Sequence, residues 1–253
     1  MTFLDDPNLT PPTLSLVFGA FFLGGLVKGM IGFGLPLIAV SVLAHFLPPP
    51  LVFGICVVPP FFLNILQVGS VAAAREVAAR FWPVLLGIFA AVAAGAFVTV
   101  DLDKHLPILG IGIVVTAFSL LSLSGWKPEP RPKIAKAMGG VAGVVAGFTG
   151  VFSIVPGPPL VMYLVYAGVE PRVFKAALGF FFIYTSIVLT AAFSGVGYLT
   201  PATAAIGAMA IVPAGVAMWL GSKLSDRLDS DFFRKSISAL LLAMGCSLVF
   251  QGL

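Results

Sequence analysis

The chain has 253 residues, 59% of them hydrophobic and 9% charged, with a net charge of +4 and a mean hydropathy of +1.10. A soluble domain carries about a quarter charged residues, so this composition excludes a water-exposed globule and selects a chain whose solvent is a bilayer. The positive balance does not point to nucleic acid, because the basic residues sit in short loops between apolar runs and form no single patch.

The first twelve residues hold Asp5 and Asp6 and no basic residue. They lack the positive start of a cleaved signal peptide, and the first hydrophobic segment is expected to remain in the mature protein. A spanning helix needs about 20 apolar residues. Six runs fit one span each, at 51–73, 81–100, 106–123, 176–193, 201–220 and 237–250. Two others, 13–46 and 135–168, are too long for one span. Gly and Pro interrupt each near its middle, in Lys28-Gly-Met-Ile-Gly-Phe-Gly-Leu-Pro36 and in Gly147-Phe-Thr-Gly-Val-Phe-Ser-Ile-Val-Pro-Gly-Pro-Pro159. Glycine weakens a helix and proline removes a backbone donor. Each stretch therefore predicts two helical pieces joined by a bend, as two full spans or as a re-entrant pair.

Gly25, Gly29 and Gly32 recur as Gly143, Gly147 and Gly150, 118 residues on, and Leu102-Asp103 recurs as Leu228-Asp229, 126 residues on. The difference is assigned to a longer second bend and to loops. Chance competes with duplication, since glycine numbers 28, but the order of elements also repeats. The expected fold is an all-α integral membrane protein of two repeats, residues 1–124 and 138–253, joined by a cytoplasmic linker at 125–137. Each repeat has a Gly/Pro-broken helix pair followed by three spanning helices. If each broken pair returns to the side it left, one face collects Arg75 and Arg80, then Lys127, Arg131, Lys133 and Lys136, then Arg172 and Lys175, then Lys223, Arg227, Arg234 and Lys235. The other face keeps both termini, the 194–200 loop and the 101–105 turn with its single Lys104. Basic loops face the cytoplasm, so both termini are expected outside. The two repeats are then inverted, an architecture of secondary transporters.

The breaks are the first candidates for a site. A helix start exposes N–H groups and the positive end of a dipole, which suits an anion. Gly29, Gly32, Phe33, Gly34 and Pro36 from the first break, and Gly147, Thr149, Gly150, Ser153, Gly157 and Pro158 from the second, are read as substrate-binding. Close helix packing is the competing reading for the glycines, and it is favoured for Gly25 and Gly143. Lys28 is the one basic residue inside a predicted span, where a charge costs about 2.5–3.5 kcal/mol on insertion scales. No carboxylate lies clearly inside a span, so its natural partner is a bound anion, with snorkelling to an interface as the alternative. Asn64 and Gln67, three residues apart, and Tyr184 are candidates to assist, as donors to an oxyanion. Tyr163, Thr185 and Ser186 are further polar positions that also suit interhelical hydrogen bonds. His45 and His105 carry little weight as proton relays. Cys56 and Cys246 lack metal-ligand spacing, and no catalytic or nucleotide motif occurs. No catalytic residue, metal or cofactor is expected.

The paired segments Gly24-Gly-Leu-Val-Lys-Gly-Met-Ile-Gly-Phe-Gly-Leu-Pro36 and Gly139-Gly-Val-Ala-Gly-Val-Val-Ala-Gly-Phe-Thr-Gly150 resemble the sulfite exporter TauE/SafE family, also called the 4-toluene sulfonate uptake permease family. The resemblance extends over about residues 13–252. It implies transport of sulfite, sulfoacetate or other organosulfonates across a bacterial inner membrane, and leaves direction, coupling to a proton or other ion, and oligomeric state open. The expected partners are a small anion and lipid, with no nucleic acid. An anion channel, a permease for a different small organic anion and a non-transporting scaffold are the alternatives.

Overall fold

The computed structural model describes residues 10–100, 105–125, 129–225 and 230–253. Asp5, Asp6, the Leu102-Asp103 and Leu228-Asp229 pairs, Lys104, Lys127 and Arg227 lie outside the described residues. Those described form eleven helices and no strand: α1 (Pro11–Ile31), α2 (Leu35–Leu43), α3 (Pro49–Cys56), α4 (Pro59–Val68), α5 (Val71–Val100), α6 (His105–Leu123), α7 (Pro132–Ser153), α8 (Gly157–Tyr166), α9 (Pro171–Gly195), α10 (Pro201–Ser225) and α11 (Ser230–Gly252). Seven of them, α1, α5, α6, α7, α9, α10 and α11, contain stretches long and apolar enough to cross a bilayer. Proline opens most of these helices, where its missing N–H would have had no intrahelical partner.

Both Gly/Pro interruptions are helix breaks. α1 ends at Gly32, whose N–H donates to the Lys28 carbonyl at 2.8 Å, and both Gly32 and Gly34 take positive φ (85° and 105°) before Pro36 sits in the first turn of α2. α7 ends in the same way at Ile154, whose N–H donates to the Gly150 carbonyl at 2.8 Å. Ile154 has φ 56°, a conformation disfavoured for a β-branched residue. Each gap is three residues, 32–34 and 154–156. The second bend is therefore no longer than the first. The extra length lies in α7, which continues one further turn past the repeated glycines before it stops. The nine residues of α2 and ten of α8 rise about 14–15 Å, too little for a hydrocarbon core of about 30 Å. Each pair is thus one long helix and one half-length helix.

One predicted span also breaks. The 51–73 run divides into α3 and α4 at Val57-Val58, because Pro59 and Pro60 follow and the residue before a proline resists the helical region. α5 starts at Val71, ten residues before the expected span, and bends at Phe81 (φ −115°, ψ 22°) just ahead of Pro83. α7 begins at Pro132, within the segment read as a linker.

The two halves exchange helices reciprocally. α1 packs along α10 and α7 along α5, while α6 pairs with α11 and α4 with α9. Glycine sets how closely they approach. A Cβ on Gly25 or Gly29 would overlap backbone at Ala214 or Met218, and one on Gly143 or Gly147 would meet Val84 or Ile88 in the same way. Both partner positions differ by 130 residues between halves. The repeated glycines thus perform equivalent packing in α1–α10 and α7–α5, which is how backbones come together when lipid tails are as apolar as the side chains.

Candidate functional site

Lys28 lies in the last turn of α1, only 4% exposed. Its Nζ donates to Asn64 Oδ1 at 2.6 Å and to Gln67 Oε1 at 2.8 Å. The ammonium also faces the Phe182 ring, 5.7 Å from the centroid, within range of a cation–π attraction. The negative end of the α1 dipole adds to its stabilisation. Asn64 and Gln67 are one turn apart on α4, and both turn their oxygens to the lysine because an ammonium can only donate. Their amide nitrogens are used elsewhere. Asn64 Nδ2 donates to the Pro60 carbonyl at 2.6 Å, and Gln67 Nε2 reaches the Lys175 carbonyl on α9 at 3.4 Å.

Sequence reasoning singled out these three residues, and the structure brings them together. The two amides were expected to donate to an anion beside Lys28; here they accept from Lys28 itself. The lysine's resident partners are neutral, and among the described residues no carboxylate pairs with it. The charge is solvated but not neutralised.

A cavity of about 750 Å³ opens beside this group, between the end of α4, the start of α5 and the start of α9. Gln67 lines it, together with Ser70, Glu76, Glu170, Arg172 and Lys175. Gln67 is therefore shared: it faces the cavity and holds Lys28. Of the two residues that hold Lys28, only Gln67 lines this vestibule.

The helix starts are poorer in donors than expected. Pro36 in α2, Pro59 and Pro60 in α4, and Pro158 and Pro159 in α8 fall where first-turn N–H groups would point at an anion. Proline supplies none. The starts of α2 and α8 do face each other, Gly34 and Pro36 opposite Pro156, Gly157 and Pro158, but Phe33, Phe118 and Phe182 fill the space and leave about 10 Å³, the lower limit for one water. Phe33 stands edge-on to Phe118 at 5.9 Å. Thr149 and Ser153 donate within α7, to the Ala146 and Thr149 carbonyls. A Cβ on Gly150 would lie in ordinary contact with Thr185 and Leu189. Tyr184 is half-buried against the apolar core and makes none of the lysine's hydrogen bonds. Phe182 was not anticipated, since the Phe180-Phe-Phe182 run resembles any lipid-facing stretch. Arg172 and Lys175, read only as topology markers, also line the vestibule.

Seven long apolar helices and two interrupted helix pairs define a multi-pass membrane protein. The sequence model of the sulfite exporter TauE/SafE family matches residues 17–248, and the chain belongs to that family, a family of membrane transporters. No curated protein and no solved structure matches the chain.

Proposed function

We propose that the chain is a secondary transporter of small sulfur-containing anions, sulfite, sulfoacetate or another organosulfonate, across the bacterial inner membrane by alternating access. The observation that carries this reading is a buried lysine held by two amide oxygens at the end of an open cavity. In such a site an anion meets the lysine's ammonium where the dielectric is low and the attraction strong. Charge placement supports both termini in the periplasm and the vestibule on the cytoplasmic side, with Arg172 and Lys175 at its mouth. The recurrence of the broken pair, the glycine positions and the reciprocal packing supports two inverted repeats, 1–124 and 138–253. Such repeats offer two near-equivalent conformations open to opposite sides. Lys28 would bind the anionic head, and Gln67, moving off it, would admit the substrate from the vestibule.

The test is sulfite and sulfoacetate binding to the purified protein, wild type beside Lys28→Ala, followed by flux in proteoliposomes. Wild type should bind one of them, and the variant should lose at least tenfold in affinity. Saturable flux with counterflow is expected of a carrier, and linear flux would make the protein a channel. Equal binding by the two proteins would remove Lys28 from the site, and binding of neither anion would remove the sulfur-anion assignment.

A further inference from the structure

The two halves present their elements in the same order: a long helix, a half-length helix, a proline-opened segment (α3–α4 or α9), then α5 or α10, then α6 or α11. The residues that receive the repeated glycines are Val84 and Ile88 on α5 and Ala214 and Met218 on α10, 130 residues apart. The same step takes Pro83 to Pro213, so each receiving helix has a proline directly before its first glycine contact. Proline removes the N–H that would hold the carbonyl four residues back, Ala79 on α5 and Met209 on α10, and it lets a helix bend there. The two backbones nevertheless differ. α5 leaves the helical region at Phe81 (φ −115°, ψ 22°), whereas α10 continues through Pro213 without such a break.

The surroundings of the two helix starts differ as well. The vestibule lies between the end of α4, the start of α5 and the start of α9. Exchanging the halves gives the end of α9, the start of α10 and the start of α3, and that place is packed shut. Phe53 of α3 stacks on Phe193 of α9 with 5.6 Å between centroids, and the Tyr198 ring lies 6.0 Å from the first and 5.6 Å from the second. Phe53 and Phe193 are wholly buried. A Cβ on Gly54 would overlap the Tyr198 carbonyl and Thr203, and one on Gly207 would overlap the Ile55 carbonyl, so α3 and α10 meet without side chains between them. The step of 130 shows the contrast at single positions. Ala73 and Glu76 line the open vestibule, and their counterparts Thr203 and Ile206 are 1% and 0% exposed.

We propose that the contact of α3 with the end of α9 and the start of α10 is the closed second gate of the transport path, and that it opens when α10 bends at Pro213 while α5 straightens at Pro83. The inference rests on the alternating-access reading. In that reading one conformation is the other with the halves exchanged, so the bend that accompanies the open vestibule on α5 passes to α10. The gate lies on the side of the 194–200 loop, opposite the vestibule. When it opens, the cluster of Phe53, Phe193 and Tyr198 separates, and Thr203 and Ile206 meet water as Ala73 and Glu76 do here.

The experiment is labelling of the full-length chain by a membrane-impermeant thiol reagent in sealed vesicles of both orientations, with Cys56 and Cys246 replaced by alanine. Thr203→Cys reports on the gate from the side of the 194–200 loop, and Ala72→Cys on the vestibule from the other side. Pro83→Ala favours a straight α5 and should speed labelling of Thr203→Cys at least tenfold while slowing that of Ala72→Cys. Pro213→Ala favours a straight α10 and should slow labelling of Thr203→Cys at least tenfold while leaving Ala72→Cys reactive. Ile206→Cys should behave as Thr203→Cys does, and it decides the matter if Thr203→Cys does not fold. Equal rates in the two proline variants, or cysteines at 203 and 206 that stay unreactive in every background, overturn the gate. Saturable sulfite or sulfoacetate flux alongside such unreactive cysteines would remove the gate and keep the transport reading. Reciprocal labelling without flux of either anion would keep the gate and remove the sulfur-anion assignment.

Discussion

Two amide oxygens and a carboxylate would both stabilise Lys28, but only the amides leave its charge available. A buried carboxylate would neutralise the ammonium, and an arriving anion would then have to displace it. Asn64→Asp tests this directly. The variant should keep its unfolding temperature near that of wild type while its sulfite affinity falls at least tenfold, measured by titration calorimetry. Asn64→Leu acts on the other side of the balance. It removes the nearer acceptor, at 2.6 Å, and a hydrogen bond to a charged group contributes about 1.5–3 kcal/mol. A stability loss of that order is expected in denaturation, and no loss would show that the bond is spare. On the proposed reading the lysine carries the anion's charge, since the proline-opened half-helices lack N–H groups at Pro36, Pro158 and Pro159.

Helix pairing here depends on glycine at specific faces, and the same residue type is dispensable one face away. Gly143→Leu would force Val84 backbone away from α7, and Gly25→Leu would do the same to Ala214 on α10; overpacking of this kind costs about 1–3 kcal/mol. Gly19→Ala is the control. Nothing lies within 4 Å of its Cβ, and alanine is the better helix former by about 1 kcal/mol, so this variant should unfold at the same or a higher temperature. Ile154 shows two opposed terms at one cap. Its φ of 56° is unfavourable for an L side chain by roughly 1–2 kcal/mol, while its buried side chain, 3% exposed, contributes about 1.5–3 kcal/mol. Ile154→Gly relieves the first and loses the second, so the net change in unfolding free energy should be within about 1–2 kcal/mol of zero.

At the scale of the whole chain, the vestibule is bordered by the N-terminal parts of α5 and α9, the helices that carry Arg75 and Arg80 and that carry Arg172 and Lys175. If that side is cytoplasmic, a cysteine at Ala72, an exposed residue that lines the vestibule, is reachable from inside only. With Cys56 and Cys246 replaced by alanine, Ala72→Cys should react with a membrane-impermeant thiol reagent in inside-out vesicles and remain unlabelled in right-side-out ones. The reverse pattern would invert the topology. The asymmetry of the two halves matters at this scale too. If the halves are the proposed repeats, a lysine like Lys28 occurs in only one of them, and an anion site built on it would be single.

Membrane residence and the two breaks were legible in the sequence, because each depends on local properties: hydropathy over about 20 residues and the helix-breaking of Gly and Pro. The trio Lys28, Asn64 and Gln67 was legible as polar residues in apolar runs, each costly enough in a bilayer to need a reason. What these residues do to one another was not. That the amides accept from the lysine follows from α1 and α4 meeting 36 residues apart, and no local rule gives their separation or orientation. The break at Val57-Val58 was missed because the run is long and largely apolar, although Pro59-Pro60 marked it. The place of Phe182 and the vestibule were decided by tertiary structure alone, since each is formed where helices distant in sequence converge, and convergence is a property of packing that hydropathy and spacing do not encode.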